Sequence, residues 1–325
     1  MSEILLIDAD SRIPNIALGK LSTFHKQNGD AVSYYKCEIP YFPRYNKKDT
    51  FPPISQYDKA YCSIVFTSSN GYVKGKGIEF GGAGYSLAKT LPNNIEDLDV
   101  DYSLWPNNKT SYGFITRGCI RNCSFCVVPE KEGRIHQVNN VEDVIKHDQV
   151  KFLDNNILSL PTHTEVLQKL VDMGIKCQFN QGLDIRLVDK CNTNLLQKLN
   201  YWGEYTFAFD DIQLMDLIER KLNLLNWRKP WQLRFFVFIH PDMSLSNIVT
   251  RILWLKNRRC LSYAMRHLSC WGAPYEKFYT DIAAWANQPG LFKNLSFEQF
   301  LSKRHTSSER IDYCLSLFRK ASENV

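Results

Sequence analysis

The stretch Thr116–Pro129, TRGCIRNCSFCVVP, constrains this chain more than any other. Cys119, Cys123 and Cys126 stand in a CxxxCxxC spacing, with Gly118 before them and Pro129 after. Thiolates are soft ligands, and closely spaced cysteines on short loops are how iron–sulfur clusters are held. A four-iron cluster usually takes four cysteines, and this loop offers three. One iron is then left with an open position, which is where a metal centre does chemistry. Two other readings use the same residues. Zinc favours CxxC pairs or mixed Cys/His sets, and His136 is the only histidine nearby. Three unconnected buried thiols would meet this spacing only by accident.

Ten cysteines would suit a secreted disulfide framework, but MSEILLIDAD has no basic region followed by an apolar core. No apolar run approaches the roughly 20 residues of a membrane helix. A reducing cytoplasm and no membrane partner are therefore expected. At 325 residues, 44% hydrophobic and 23% charged, the chain can bury a large core or two ordinary ones. The net charge of +6 is uneven: Arg220 to Arg266 holds ten Lys or Arg and one acid, Asp242. Trp227, Trp231, Trp254 and Tyr263 are interleaved there, so a nucleic acid could stack on aromatics while its phosphates meet the cations. A solvated basic face is the plainer reading. Trp254 lies between Ile252 and Leu255 and reads as core.

Residues 3–8, EILLID, read as a buried strand, and Ile16, Leu18, Leu21 and Phe24 as one face of a helix closed at Gly29. Ala31–Tyr35 resumes as a strand, which makes a βαβ unit and a parallel sheet. Lys59–Phe66 and Gly77–Phe80 follow as strands, leading into Gly81, Gly82 and Gly84, which suit either a tight turn or close approach of a cofactor. Pro40 to Pro53 carries four prolines and reads as a surface loop. From Tyr112 the pattern alternates. Strands are expected at 112–116, 149–153, 176–180, 205–209, 233–239 and 261–266, with helices at 141–147, 162–173, 192–200, 215–225 and 246–257. After Cys270 helices take over, at 276–285 and again near Ser296, which is placed as an N-cap.

With Phe125 directly before Cys126, the cysteine loop resembles the signature of the radical S-adenosylmethionine superfamily. Its TRGCxxxCxFCxxP form is similar to that of methylthiotransferases and cobalamin-dependent radical enzymes. The resemblance implies a four-iron, four-sulfur cluster whose open iron chelates S-adenosylmethionine, and reductive cleavage to a 5'-deoxyadenosyl radical. It also implies an electron donor of flavodoxin or ferredoxin type. Six βα units match the family's partial (β/α)6 barrel. The expected fold is therefore α/β: a Rossmann-like parallel sheet over 1–95, a linker over 96–110, the barrel over 111–268 and a helical extension over 269–325. Roughly the first 90 residues resemble a cobalamin-binding domain. Aligned on Asp10, the family's Asp-x-His-x-x-Gly motif has Arg12 in place of His and Asn15 in place of Gly. Any cobalamin is therefore expected to lack a histidine ligand. The methylthiotransferase N-domain uses three cysteines, and only Cys37 and Cys62 precede Cys119.

Ligands of α/β sheets and barrels bind at the carboxyl ends of strands. Those ends carry the cysteine loop, Asp154-Asn155-Asn156, Asn180-Gln181, Asp210-Asp211 and His240. Each alone reads equally well as a cap or turn residue. By resemblance, Cys119, Cys123 and Cys126 ligate iron and the backbone at Phe125 meets adenine. Asp154, Asn155 and Asn156 occupy the position of the family's Gly-Gly-Glu stretch, which meets the methionine amino group. Gln181, Asp184 and Arg186 are placed as S-adenosylmethionine or substrate contacts, with a structural salt bridge the alternative for Arg186. Asp210 and Asp211 are candidates for ribose or substrate hydroxyls. Cys177, Cys191, Cys260, Cys270 and Cys314 show no tight spacing and read as free thiols, with an auxiliary cluster at Cys260 and Cys270 as the alternative. Three functions compete: C–H functionalisation of a substrate such as a nucleic acid, small-molecule biosynthesis on the same scaffold, and a non-catalytic iron–sulfur protein that binds nucleic acid.

Overall fold

The computed structural model describes residues 1–37, 53–305 and 307–323. The proline-rich loop expected at 40–53 lies, apart from Pro53, outside the described residues. Two compact units form: Met1–Gly113 with Arg121–Gly133 and Glu142–Asp148, and Phe114–Ile120 with Arg134–Val141 and Gln149–Val325. Among the described residues no helix is long and apolar enough to cross a membrane.

The first unit is a parallel sheet. β1 (Glu3–Asp8), α1 (Ile16–Gln27), β2 (Ala31–Lys36), β3 (Lys59–Ser63) and β4 (Ile78–Gly81) give the strand order β2-β1-β3-β4. β1 is apolar throughout because both of its faces are covered. Ile4 and Leu6 pack with Leu18 and Leu21 of α1, while Leu5 and Ile7 pack with Ala60, Cys62, Ile64 and Val73. Asn15 caps α1 by accepting from the Leu18 amide, and Gly29 leaves the helix with φ +80°. The stretch 96–110, expected as a linker, is built into this unit. Asp101 accepts from Ser22 Oγ and Lys26 Nζ, each at 2.6 Å, and the Asp101 amide donates to Gly19 O. Position 19 must be glycine for this approach, since a Cβ there would come within 2.5 Å of Val100. The short helix α2 (Asn93–Glu96) precedes it.

The strand expected over 112–116 is divided into β5 (Ser111–Gly113) and β6 (Thr116–Arg117). After α3 (Val128–Glu132), β7 (His136–Gln137) pairs antiparallel with β6. The helix expected to reach His147 stops early, as α4 (Val141–Val144). The Ser111 hydroxyl takes the Lys146 amide at 2.8 Å, an amide that a further turn of helix would have used.

The second unit alternates strand and helix through β8 (Gln149–Phe152), α5 (His163–Met173), β9 (Lys176–Phe179), α6 (Lys190–Lys198), β10 (Tyr205–Ala208), α7 (Met215–Leu224), β11 (Leu233–Ile239), α8 (Leu245–Asn257) and β12 (Leu261–Arg266). β8 pairs parallel with β9, and β10 with β11 and β11 with β12. Single parallel bridges, Cys177 to Tyr201 and Leu183 to Phe207, continue the arc between β9 and β10. The result is an open barrel of successive βα units. Its helices follow local signals: Gly174 ends α5 at φ +61°, and Asp189 with Asn192 forms a capping box on α6.

The chain then adds α9 (Glu276–Ala286), α10 (Pro289–Asn294), α11 (Phe297–Arg304) and α12 (Ser308–Ser322). Ser296 and Gln299 form the capping box of α11. The Asn287 side chain closes the open edge of β12, accepting from the Ala264 amide at 2.6 Å and donating to its carbonyl at 3.0 Å. Phe278, Trp285, Phe292, Phe297 and Phe300 fill the core between these helices. Within it Asp281 is wholly buried, bound by Arg310 at 2.9 Å, His305 at 3.0 Å and Arg304 at 3.2 Å. Burial pushes this carboxyl up, but the bonds from Arg310 and His305 outweigh it and hold it below its ordinary value. Asp281→Ala leaves those cations facing a vacated site and should cost about 3–5 kcal/mol, read from the urea midpoint. Because the folded pKa is depressed, this contribution is present above about pH 4 and is lost as pH falls through the folded value.

Candidate functional site

Asp154, one residue past Leu153 at the carboxyl end of β8, organises the approach to the first cysteine. Its buried carboxylate accepts from the Ile115 amide at 3.1 Å, from the Thr116 amide and from Thr116 Oγ1 at 2.7 Å. Burial pushes this carboxyl up to about 6, against the pull of those hydrogen bonds. The carboxylate therefore replaces a strand ladder at the break between β5 and β6. Two residues on, Asn156 donates from Nδ2 to Cys119 Sγ at 3.5 Å. Its Oδ1 is buried and has no hydrogen-bond partner among the described residues.

None of the ten cysteines is in a disulfide, and they divide by burial. Cys37, Cys62, Cys177, Cys260, Cys270 and Cys314 are buried; for Cys62, Cys177, Cys260 and Cys314 burial pushes the thiol up to about 12. Cys119, Cys123, Cys126 and Cys191 reach solvent, and Phe125 is 38% exposed. The Cys126 amide donates to Cys123 O at 3.0 Å, a turn that fixes the CxxC half of the loop. Among the described residues no three His, Cys, Asp or Glu side chains are gathered closely enough to hold a metal ion. The chemistry of the donor set fits a cluster: all three thiols are soft and reach solvent, and Cys119 has the buried, unsatisfied Asn156 amide beside it.

Several residues expected to meet a ligand are engaged by the chain itself. Asp184 caps the turn at 185–187 and binds the Arg186 guanidinium at 2.6 and 3.0 Å, the structural salt bridge given as the alternative for Arg186. Asp210 accepts from the Phe238 amide at 3.0 Å and is raised by burial, against Phe238, Arg251 and Arg186. Asp211 caps the turn at 212–214, while Gln181 is exposed and Asn155 half-buried. Arg251 of α8 is wholly buried and donates to the carbonyls of Phe209 at 2.8 Å and Phe238 at 3.0 Å. Burial lowers its pKa to about 10, against Asp210 and Asp211.

Other cations of the 220–266 stretch are similarly absorbed. Arg234 pairs with Glu204, Arg258 pairs with Glu219 over the Trp254 ring, and Lys256 binds Phe292 O. Arg228 lies over Tyr205 and Trp227, and Arg266 over Trp271. In the first unit, Asp10 accepts from the Val65 and Phe66 amides, which ends β3 before residue 66. The backbone of Gly82 and Gly84 lies on Ile64–Phe66: a Cβ at Gly82 would meet Ile64 O at 2.3 Å, and one at Gly84 would meet Phe66 C at 2.5 Å. These glycines serve close chain packing.

One cluster was only half visible in sequence. Ile239 and Arg266 are partners in the parallel register of β11 and β12, and a histidine follows each. Ser269 Oγ lies 3.1 Å from His240 Nε2 and 2.8 Å from His267 Nδ1. A histidine one residue beyond each of two successive strands was the available signal; Ser269 had none.

The architecture is α/β, a Rossmann-like parallel sheet followed in the chain by a partial barrel of βα units and a helical C-terminal extension. Two solved structures of TsrM from Kitasatospora setae share it. That protein is a radical S-adenosylmethionine methyltransferase. Its form with tryptophan substrate and the analogue aza-SAM bound has a TM-score of 0.57 at 11% identity, covering 81% of this chain and 73% of that one. Its form with cobalamin and a 4Fe-4S cluster bound has a TM-score of 0.55 at 12% identity, covering 82% and 75%. No family model and no curated protein matches the chain.

Replacing Asp154 by Ala removes the acceptor of two buried amides and a buried hydroxyl. Each unsatisfied group costs about 1–3 kcal/mol, so a loss of roughly 3 kcal/mol or more is expected in chemical denaturation. Asp154→Asn, which keeps one acceptor oxygen, should lose less.

Proposed function

We propose that this chain is a radical S-adenosylmethionine enzyme that functionalises a substrate C–H bond, with methyl transfer the form its structural neighbour carries. The observation that carries the reading is the Asn156 side chain, which donates to Cys119 Sγ, the first thiol of the CxxxCxxC motif, and leaves a buried Oδ1 without a partner among the described residues. Cys119, Cys123 and Cys126 would hold a four-iron cluster, which when bound and reduced supplies the electron that cleaves S-adenosylmethionine. The Asn156 N–H draws charge from the Cys119 sulfur and so tunes its strength as a ligand. Asn156 Oδ1 offers an acceptor to an ammonium group, the part of S-adenosylmethionine that the Asp154–Asn156 position meets in the family. Asp154 serves by position, since its oxygens are already taken by Ile115 and Thr116.

Anaerobic reconstitution should give about four irons per chain, lost in Cys123→Ala, with 5'-deoxyadenosine released under reduction. Full iron retained in the Cys119, Cys123, Cys126 triple Ala variant would sink the reading. Asn156→Ala should keep the iron and shift the cluster's midpoint potential downward, as loss of an N–H to sulfur bond demands.

Cobalamin is a second cofactor to weigh, because a TsrM structure holds it. The turn after β1 offers it no imidazole. Arg12 stands where the motif has histidine, Asn15 is spent as the α1 cap and on Ser63, and His25 is buried against Asp30 and Tyr61. A guanidinium that stays protonated cannot coordinate cobalt. Cobalamin carried by this chain should therefore show no histidine nitrogen coupling in its paramagnetic resonance spectrum; such coupling would contradict the assignment.

A further inference from the structure

At the carboxyl ends of β11 and β12 two imidazoles share one hydroxyl, and the surrounding backbone decides which nitrogens carry protons. The Asp242 amide donates to His240 Nδ1 at 3.3 Å, and the Ser269 amide donates to His267 Nδ1 at 3.2 Å. Each Nδ1 is thus an acceptor, and each neutral ring carries its hydrogen on Nε2. One continuous chain satisfies every contact: His240 Nε2–H donates to Ser269 Oγ, whose own hydrogen is donated to His267 Nδ1. Among the described residues nothing bonds to His267 Nε2, the nitrogen at the end of the chain. At the other end His240 Nδ1 lies 3.4 Å from the Asp242 carboxylate, which is 90% exposed. That nitrogen therefore has a donor beside it when bare and an acceptor beside it when protonated.

We propose that His240, Ser269 and His267 form a proton relay between water at Asp242 and a substrate at the strand-end rim of the second unit. In the delivering direction an Nε2–H bond of His267 breaks and an N–H or O–H bond forms on the substrate. His267 Nδ1 takes the Ser269 proton, Ser269 takes the Nε2 proton of His240, and water returns a proton to His240 Nδ1. No electrons are exchanged, and the reverse sequence removes a substrate proton. The substrate class is one that exposes a nitrogen or oxygen of basicity near that of imidazole, where such transfer is fastest. Charged or titratable groups stand on the elements around the cluster. They are Asp242 after β11, Arg266 ending β12, the buried Cys270 thiol, and Glu276 and Tyr279 of α9. The enzyme reading supplies only the purpose of the proton; the relay itself is testable without iron or S-adenosylmethionine.

The test is long-range proton–nitrogen resonance of the full chain labelled at histidine. Both neutral rings should be Nε2–H tautomers. Ser269→Ala should slow exchange of the His267 Nε2 proton with water by at least ~10-fold, with Ser269→Thr restoring it. An Nδ1–H tautomer at His267, or exchange unchanged in Ser269→Ala, overturns the relay. In reconstituted protein without substrate, 5'-deoxyadenosine release should be the same in Ser269→Ala as in the parent chain. Its loss would assign the residue to the cofactor and overturn the proposal, whereas absence of release from the parent would count against the enzyme reading alone.

Discussion

The fold depends on how its parallel strands end. A strand that stops leaves amides and carbonyls that must still be bonded, because a buried orphan costs as much as a lost hydrogen bond. Here side chains close those ends. Carboxylates take the amides: Asp10 those of Val65 and Phe66, Asp154 those of Ile115 and Thr116, and Asp210 that of Phe238. A guanidinium takes the carbonyls, with Arg251 spanning Phe209 and Phe238. The backbone can then turn away into loops without giving up its bonding, which is how Cys119 comes to lie beside Asn156 in the second unit.

Elements closed by their own local signals could be read in the sequence, and those closed by distant side chains could not. β1, α5 with Gly174, α11 with Ser296 and the strands of the second unit follow from short-range periodicity and caps, so they were legible. The division of the 112–116 strand and the early end of α4 were not, because each depends on a side chain distant in sequence, Asp154 or Ser111. The carboxylates expected to meet a ligand, Asp184, Asp154 and Asp210, are bonded by the protein's own donors. Sequence reveals a side chain's chemistry; only the fold reveals which donor reaches it.

The same distinction governs charge. From Arg220 to Arg266 the chain reads as a basic belt, yet Arg251 is interior, Arg258 and Arg234 are paired, and Arg228 and Arg266 lie on aromatic rings. An excess of bases along the chain is not the same quantity as a positive surface. The cysteines behave in the opposite way. Six are hidden, while the three of the motif and Cys191 reach solvent.

Arg251 also sets an order of events during synthesis. Phe209 and Phe238 leave the ribosome before it, and their carbonyls have no guanidinium until α8 has been made and has folded back. The rim at β10 and β11 is therefore completed by a segment that emerges later than the strands it closes. A nascent chain halted short of residue 251 would hold both strands with their ends open to water, a state in which exposed apolar strands invite wrong partners.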